Sequence, residues 1–158
     1  MAYAKQARER GILVSLDGGA VRANTMELLD LVDIAIVSER FCEQLQKTPE
    51  QTLQILRAKG CKVGGVTQGE HGLLWYEAGD GINRLPALHV PAERVIDTNG
   101  AGDLFHGAYV YSWLQRPQAR WAFHFGFARA ASAFGVQFLG NEARLPRVDD
   151  VMATAEAF

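Results

Sequence analysis

From its amino end, the chain alternates short uninterrupted apolar runs with longer stretches whose apolar residues recur every three or four positions. ILVSLD (Ile12–Asp17), DIAIVS (Asp33–Ser38) and KVGGVT (Lys62–Thr67) are of the first kind. They are too short for helices and bounded by glycine or capping residues, so they predict strands covered on both faces. The intervening stretches predict helices. Residues 2–10 read as the end of a helix stopped by Gly11. Asn24 and Glu27 have capping-box spacing ahead of the apolar Met26, Leu28, Leu29 and Val32. Thr48, Pro49 and Gln51 form a second such start, with proline at the first helical position, and that helix runs to Lys59 before Gly60.

Beyond Thr67, the turn QGEHG leads into LLWY, and Gly79 to Gly81 punctuate a further strand pair ending near LHV. From Asp103 onward the pattern is mostly helical. Strand and helix therefore alternate at βαβ spacing, which predicts a three-layer α/β/α domain with a mostly parallel sheet over residues 1–158. Ligands of such sheets bind outside the carboxyl ends of the strands. LDGG, VSER, VTQGEHG and DTNGAGD all fall there.

Composition narrows the picture without changing it. The chain has 158 residues, 48% of them hydrophobic and 22% charged, enough for one ordinary globular core. A net charge of -2, with both signs interspersed, gives no basic footprint for nucleic acid and no polybasic membrane patch. No apolar run approaches the ~20 residues of a membrane span, and MAYAKQARERG lacks a signal-peptide core. Cys42 and Cys61 stand apart from each other and from any histidine at metal spacing, which predicts two reduced thiols and a cytoplasmic protein. His71, His89, His106 and His124 share no metal-ligand spacing, so no metal site is expected of the protein's own residues.

The candidate chemistry lies in VIDTNGAGDLFHGAYVYSWL, Val95 to Leu114. Gly100, Ala101 and Gly102 have little or no side chain, so backbone can approach a ligand, and a following helix leaves its first amides unpaired. Free N–H groups and the helix dipole favour an anion there. Asp103 would stand in the first turn beside it, where a carboxylate can orient a hydroxyl and take its proton. Phosphoryl transfer needs that combination of donors facing the transferring group and one base on the attacking oxygen.

DTNGAGDLFHGA resembles the second signature of the PfkB (ribokinase-like) family of sugar and nucleoside kinases, with Asp97, Thr98, Gly100, Ala101, Gly102, Asp103, Phe105 and Gly107 all in place. The resemblance extends from ILVSLDGG through TQGEHG to FARAASAFGV and LPRVDDV, the second half of such a kinase. It implies a ribokinase-like α/β fold, ATP with its Mg2+ as cofactor and a small sugar as acceptor. It further implies Asp103 as catalytic base and the amides of Gly100, Ala101 and Gly102 as an anion hole for the γ-phosphate. TQGEHG matches the family's TxGxxG turn, which carries nucleotide contacts through Thr67 and Gly69, with Gly72 opening the next strand. In some members a monovalent cation sits beside the hole, held partly by the segment equivalent to Asp97–Asn99.

Two departures shape what is expected. The family's N-x-x-E, which arranges magnesium and phosphate, reads SERF at Ser38–Phe41, with Glu39 and Glu43 nearby. The family's preceding strands, first glycine signature and lid have no counterpart in the sequence. Their absence predicts an open, apolar sheet edge, to be covered by a second copy or another partner, and little or no activity from this chain alone, since positioning supplies much of the rate. The alternative is a non-catalytic nucleotide- or phosphate-binding module of the same fold. A dinucleotide-binding domain is disfavoured, because no G-x-G-x-x-G follows a first strand. Arg129 is a candidate nucleotide contact or a plain surface arginine, and Asp17 a candidate cleft residue.

Overall fold

The structure, a computed structural model, describes residues 1–140 and 145–158. It divides into two compact units, residues 1–68 with 73–84, and residues 69–72 with 85–158. The first unit carries α1 (Ala2–Glu9), β1 (Ser15–Gly18), α2 (Thr25–Leu29), β2 (Ile34–Ser38), α3 (Glu39–Leu45), α4 (Pro49–Ala58), β3 (Val63–Thr67) and β4 (Leu73–Glu77). A short β5 (Asn83–Leu85) follows, and the second unit holds α5 (Ala101–Gln115), α6 (Trp121–Gly135) and α7 (Val148–Ala157).

The sheet order is β1-β2-β3-β4-β5. β1 and β2 run parallel with Ser15 opposite Ile34, and β2 and β3 run parallel with Ile34 opposite Val63. β4 returns antiparallel, with Val63 opposite Glu77. The continuous burial of Leu73 to Tyr76 matches that of the parallel strands, so burial alone could not give direction. The turn length does: residues 68–72 are too few for a crossover, which leaves only a reversal.

Several boundaries differ from the sequence pattern. Ile12, Leu13 and Val14 precede β1, because the Val14 amide donates to the Asp33 carboxylate at 3.0 Å, and the Val14 carbonyl accepts from the Asp33 and Ile34 amides. The Asn24 capping box does not form. Asn24 is left-handed (φ 66) without a side-chain cap bond, and Thr25 Oγ1 instead accepts from the Arg22 amide. The Thr48–Gln51 box does form, in both directions, as expected. Lys62 lies outside β3, LHV is not a strand, and α5 begins at Ala101, two residues before Asp103. The exposed residues of the edge strand β1 are Ser15 and Asp17, so that edge is polar; exposed apolar side chains lie just upstream, at Ile12 and Leu13.

The first unit's core joins Leu29, Val37, Phe41, Leu53, Leu56, Val66 and Tyr76, all nearly or wholly inaccessible, with Cys42 and Cys61 buried as free thiols. Burial raises the Cys61 thiol to about 11, so it is inert as a nucleophile. Asp33 ties three strand starts together: besides Val14, its carboxylate meets Lys62 Nζ at 2.9 Å, and its carbonyl accepts from the Lys62 and Val63 amides. Burial opposes its ionisation, but the Val14 amide and Lys62 outweigh that and hold the carboxyl below its usual range. Asp33→Ala leaves the Val14 amide without its partner, and urea unfolding should show a loss of about 1–3 kcal/mol.

The second unit is built on an aromatic cluster of Phe105, Tyr109, Trp121 and Phe125, with ring centroids 5.4 to 6.2 Å apart. His124 is fully buried beside it, with Nδ1 2.9 Å from Ser112 Oγ and Nε2 without a hydrogen bond among the described residues. Burial lowers its pKa below the ordinary 6.5, against a smaller opposing effect of the Ala119 backbone. Because the unfolded chain binds the proton more readily, stability is complete above about pH 6.5 and falls as the pH drops below it. Urea midpoints at pH 7.5 and 5.5 should show this loss, and His124→Gln should reduce it.

Candidate active site

The turn ahead of α5 is assembled by local hydrogen bonds. Asp97 Oδ1 accepts the Asn99 amide at 2.9 Å, closing an Asx turn, and the Thr98 carbonyl accepts the Ala101 amide at 3.3 Å. Gly100 then takes φ 75 at the N-cap, a left-handed conformation natural to glycine, and its carbonyl accepts the Leu104 amide to start the helix. Ala101, Gly102 and Asp103 thus occupy the first three helical positions. Among the described residues, the amides of Gly102 and Asp103 have no hydrogen-bond acceptor. Both residues are exposed, and the Asp103 carboxylate stands in that first turn. The geometry offers outward amides, the positive end of a 15-residue helix and one solvent-accessible carboxylate.

The turn is also tied to the far end of α6. The Ile96 and Asp97 amides both donate to the Val136 carbonyl, at 2.8 and 3.2 Å, and Asp97 Oδ2 accepts the Gly140 amide at 3.1 Å. The Asn99 and Gly140 amides hold the Asp97 carboxyl below its usual pKa. Asp97 was legible only as part of the motif; its partner lies 43 residues away.

The TQGEHG residues divide between the two units. Thr67 ends β3 in the first, its hydroxyl donating to the Val37 carbonyl at 3.4 Å. Gly69 (φ 54) opens the short 3-10 turn Gly69–His71 in the second, with open space at its α-carbon. Gly72 (φ 91) precedes β4 and presses against the backbone of Leu85, Pro86 and Ala87, so packing alone accounts for its glycine.

SERF has a structural assignment. Ser38 caps α3, accepting the Phe41 amide at 3.3 Å and donating to the Gly19 carbonyl at 3.0 Å, while Phe41 is fully buried in the core. No carboxylate can therefore stand where the family's N-x-x-E glutamate would. Arg129 is half-buried and tied down, with Nη1 donating to the Pro86 carbonyl at 2.9 Å and Nε buried. His106 Nδ1 lies 3.1 Å from the Tyr109 hydroxyl. At the carboxyl ends of β1 and β2, a cleft of about 560 Å³ is lined by Asp17, Gly18, Gly19, Arg22 and Arg40. Its arginines carried no motif by which the sequence could have marked them.

A glycine turn, helix amides without acceptors among the described residues and an accompanying carboxylate stand together at the start of α5 in this α/β protein. The chain belongs to the pfkB family: the pattern described as pfkB family carbohydrate kinase matches residues 1–146. A ribokinase of Lactococcus lactis subsp. lactis is 28% identical over 153 residues, covering 97% of this chain and 48% of that protein. An Arabidopsis thaliana ribokinase solved with ribose and ATP matches with a TM-score of 0.80 at 28% identity, over 97% of this chain and 50% of that one. A ribokinase-II-type structure from E. coli, in complex with ATP and Mg2+, matches with a TM-score of 0.83 at 22% identity, over 98% of this chain and 52% of that one; that likeness carries the fold alone. The fold is thus ribokinase-like α/β, with a mixed, mostly parallel five-stranded sheet. The chain spans about half the length of the curated relatives it matches. No helix among the described residues is long and apolar enough to cross a membrane.

Proposed function

We propose that residues 1–158 form the nucleotide-binding and catalytic part of an ATP-dependent sugar kinase, working in the cytoplasm on a small carbohydrate. The observation that carries this reading is the pair of unpaired amides at Gly102 and Asp103, beside the exposed Asp103 carboxylate at the glycine-capped start of α5. In the reaction, Asp103 accepts the proton of the acceptor hydroxyl as its oxygen bonds to the γ-phosphorus and the bond to the β-phosphate bridging oxygen breaks, releasing ADP. The amides of Gly100, Ala101 and Gly102 are assigned as the hole facing the charge on the transferring phosphoryl group. In this structure the Ala101 amide is turned toward Thr98, so Gly102 carries most of that role.

Thr67 and Gly69 are assigned to the nucleotide, supported by the TxGxxG pattern and, for Gly69, by the open space at its α-carbon. Gly72 is assigned to shaping that turn. The family relationship supports ATP as donor, and Mg2+ fits as an ion carried largely by phosphate and water, because Phe41 removes a protein carboxylate from its usual place. The same observation favours a second reading, a nucleotide- or phosphate-binding module of the same fold that does not transfer phosphate. A second copy or partner over the β1 edge remains part of the first reading.

Calorimetric titration with ATP and ADP, with and without Mg2+, tests the proposal. Binding should be seen in the native chain and should survive Asp103→Ala, since that carboxylate serves the acceptor proton. A potassium titration of the same binding tests the cation that the resemblance attaches to Asp97–Asn99. A folded chain that binds no nucleotide would remove the kinase reading and leave a non-catalytic module of the same fold in its place. Nucleotide binding without sugar phosphorylation by the complete protein would favour the second.

A further inference from the structure

Helix α6 is apolar between Arg129 and Gln137 apart from one side chain, Ser132. Its neighbours Ala130, Ala131, Ala133 and Phe134 are buried, and packing gives no reason for a hydroxyl among them. A serine inside a helix commonly bonds back to its own preceding turn. Ser132 does not: its Oγ donates across to the Ala101 carbonyl at 2.7 Å, 31 residues away, at the short end of the range for such bonds. The two helices come close there, and the missing side chain of Gly135 leaves the Leu104 side chain its place.

The acceptor of that bond gives it a function. The Ala101 carbonyl and the Gly102 N–H are the two ends of one planar peptide unit. A proton donated to the oxygen fixes the plane of the unit and polarises it, which makes the N–H at the other end a stronger and better-directed donor. That N–H has no acceptor among the described residues and lies in the turn assigned to the phosphate. The bonds to Val136 and Gly140 hold the turn before Gly100, whereas the Ser132 bond acts directly on a peptide of the hole.

We propose that Ser132 is a positioning residue for the phosphate site, setting the direction and donor strength of the Gly102 amide through the 101–102 peptide. This role rests on the reading of the turn as a phosphate hole. Two measurements test it separately from that reading. The first is the backbone amide resonance of Gly102 in the ligand-free protein: Ser132→Ala should move the amide proton upfield, and Ser132→Thr should bring it back. The second is affinity for ATP against adenosine: Ser132→Ala should weaken ATP on the order of 2–5-fold, as expected for loss of cooperative polarisation, and leave adenosine unchanged.

A folded Ser132→Ala protein whose Gly102 resonance does not move would overturn the proposal. Equal weakening of ATP and adenosine would also overturn it, because that is the signature of disturbed packing. If Ser132→Ala does not fold, Ser132→Cys, of similar volume but a much weaker donor, takes its place in both comparisons. A native chain that binds neither ATP nor adenosine removes the phosphate role together with the kinase reading, while the Gly102 resonance still shows whether Ser132 governs that amide.

Discussion

Gly72→Ala should cost on the order of 2–5 kcal/mol of stability, as read by urea unfolding and circular dichroism. Two physical costs add. At φ 91 a side chain strains the backbone by about 1–2 kcal/mol. The added methyl would overlap the Leu85 carbonyl oxygen and crowd the Ala87 nitrogen and Pro86 carbonyl carbon, at 2.7 and 2.8 Å. These are backbone atoms, which cannot rotate aside as a side chain does, so about 1–3 kcal/mol of overpacking follows. Against a total stability of roughly 5–15 kcal/mol, the sum is a large fraction. Gly69→Ala meets open space, carries only the conformational cost at φ 54, and should fold.

Gly102→Val should do the opposite: keep the fold and lose the nucleotide. Nothing lies within 4 Å of a side chain built at residue 102, and the position is helical, where glycine is the weaker former. The melting temperature should therefore hold or rise slightly. The Gly102 and Asp103 amides have no acceptor among the described residues, and a branched side chain at residue 102 should hinder a phosphate approaching them. Losing a hydrogen bond to a charged group costs about 1.5–3 kcal/mol, so ATP affinity should fall on the order of 10–100-fold by calorimetry. Intact binding in a folded Gly102→Val protein would move the nucleotide phosphates elsewhere and leave the turn before α5 a structural cap. The two glycines thus separate stability from ligand recognition within motifs that look alike in sequence.

Much of the fold was legible because its determinants are local. The buried runs of β2 and β3, the Thr48–Gln51 box and the glycine stops at Gly11 and Gly60 each depend on a few consecutive residues, and the structure has them where the pattern put them. The glycine turn and the acid three residues past its first glycine were equally legible, being contiguous. What sequence could not show is whatever depends on a partner far along the chain. Asn24 looks like a cap until the Arg22 amide takes Thr25, and ILV at residues 12–14 looks like strand until Asp33 claims the Val14 backbone. Phe41 looks like a damaged metal motif until it proves to be core, and Ser132 looks like a neutral helical serine until its hydroxyl meets Ala101. Periodicity and capping are short-range and determined the elements. Direction of β4, burial of Phe41 and aim of the Gly102 amide were decided by tertiary structure, because each depends on which distant backbone atom packing brings within hydrogen-bond or van der Waals reach.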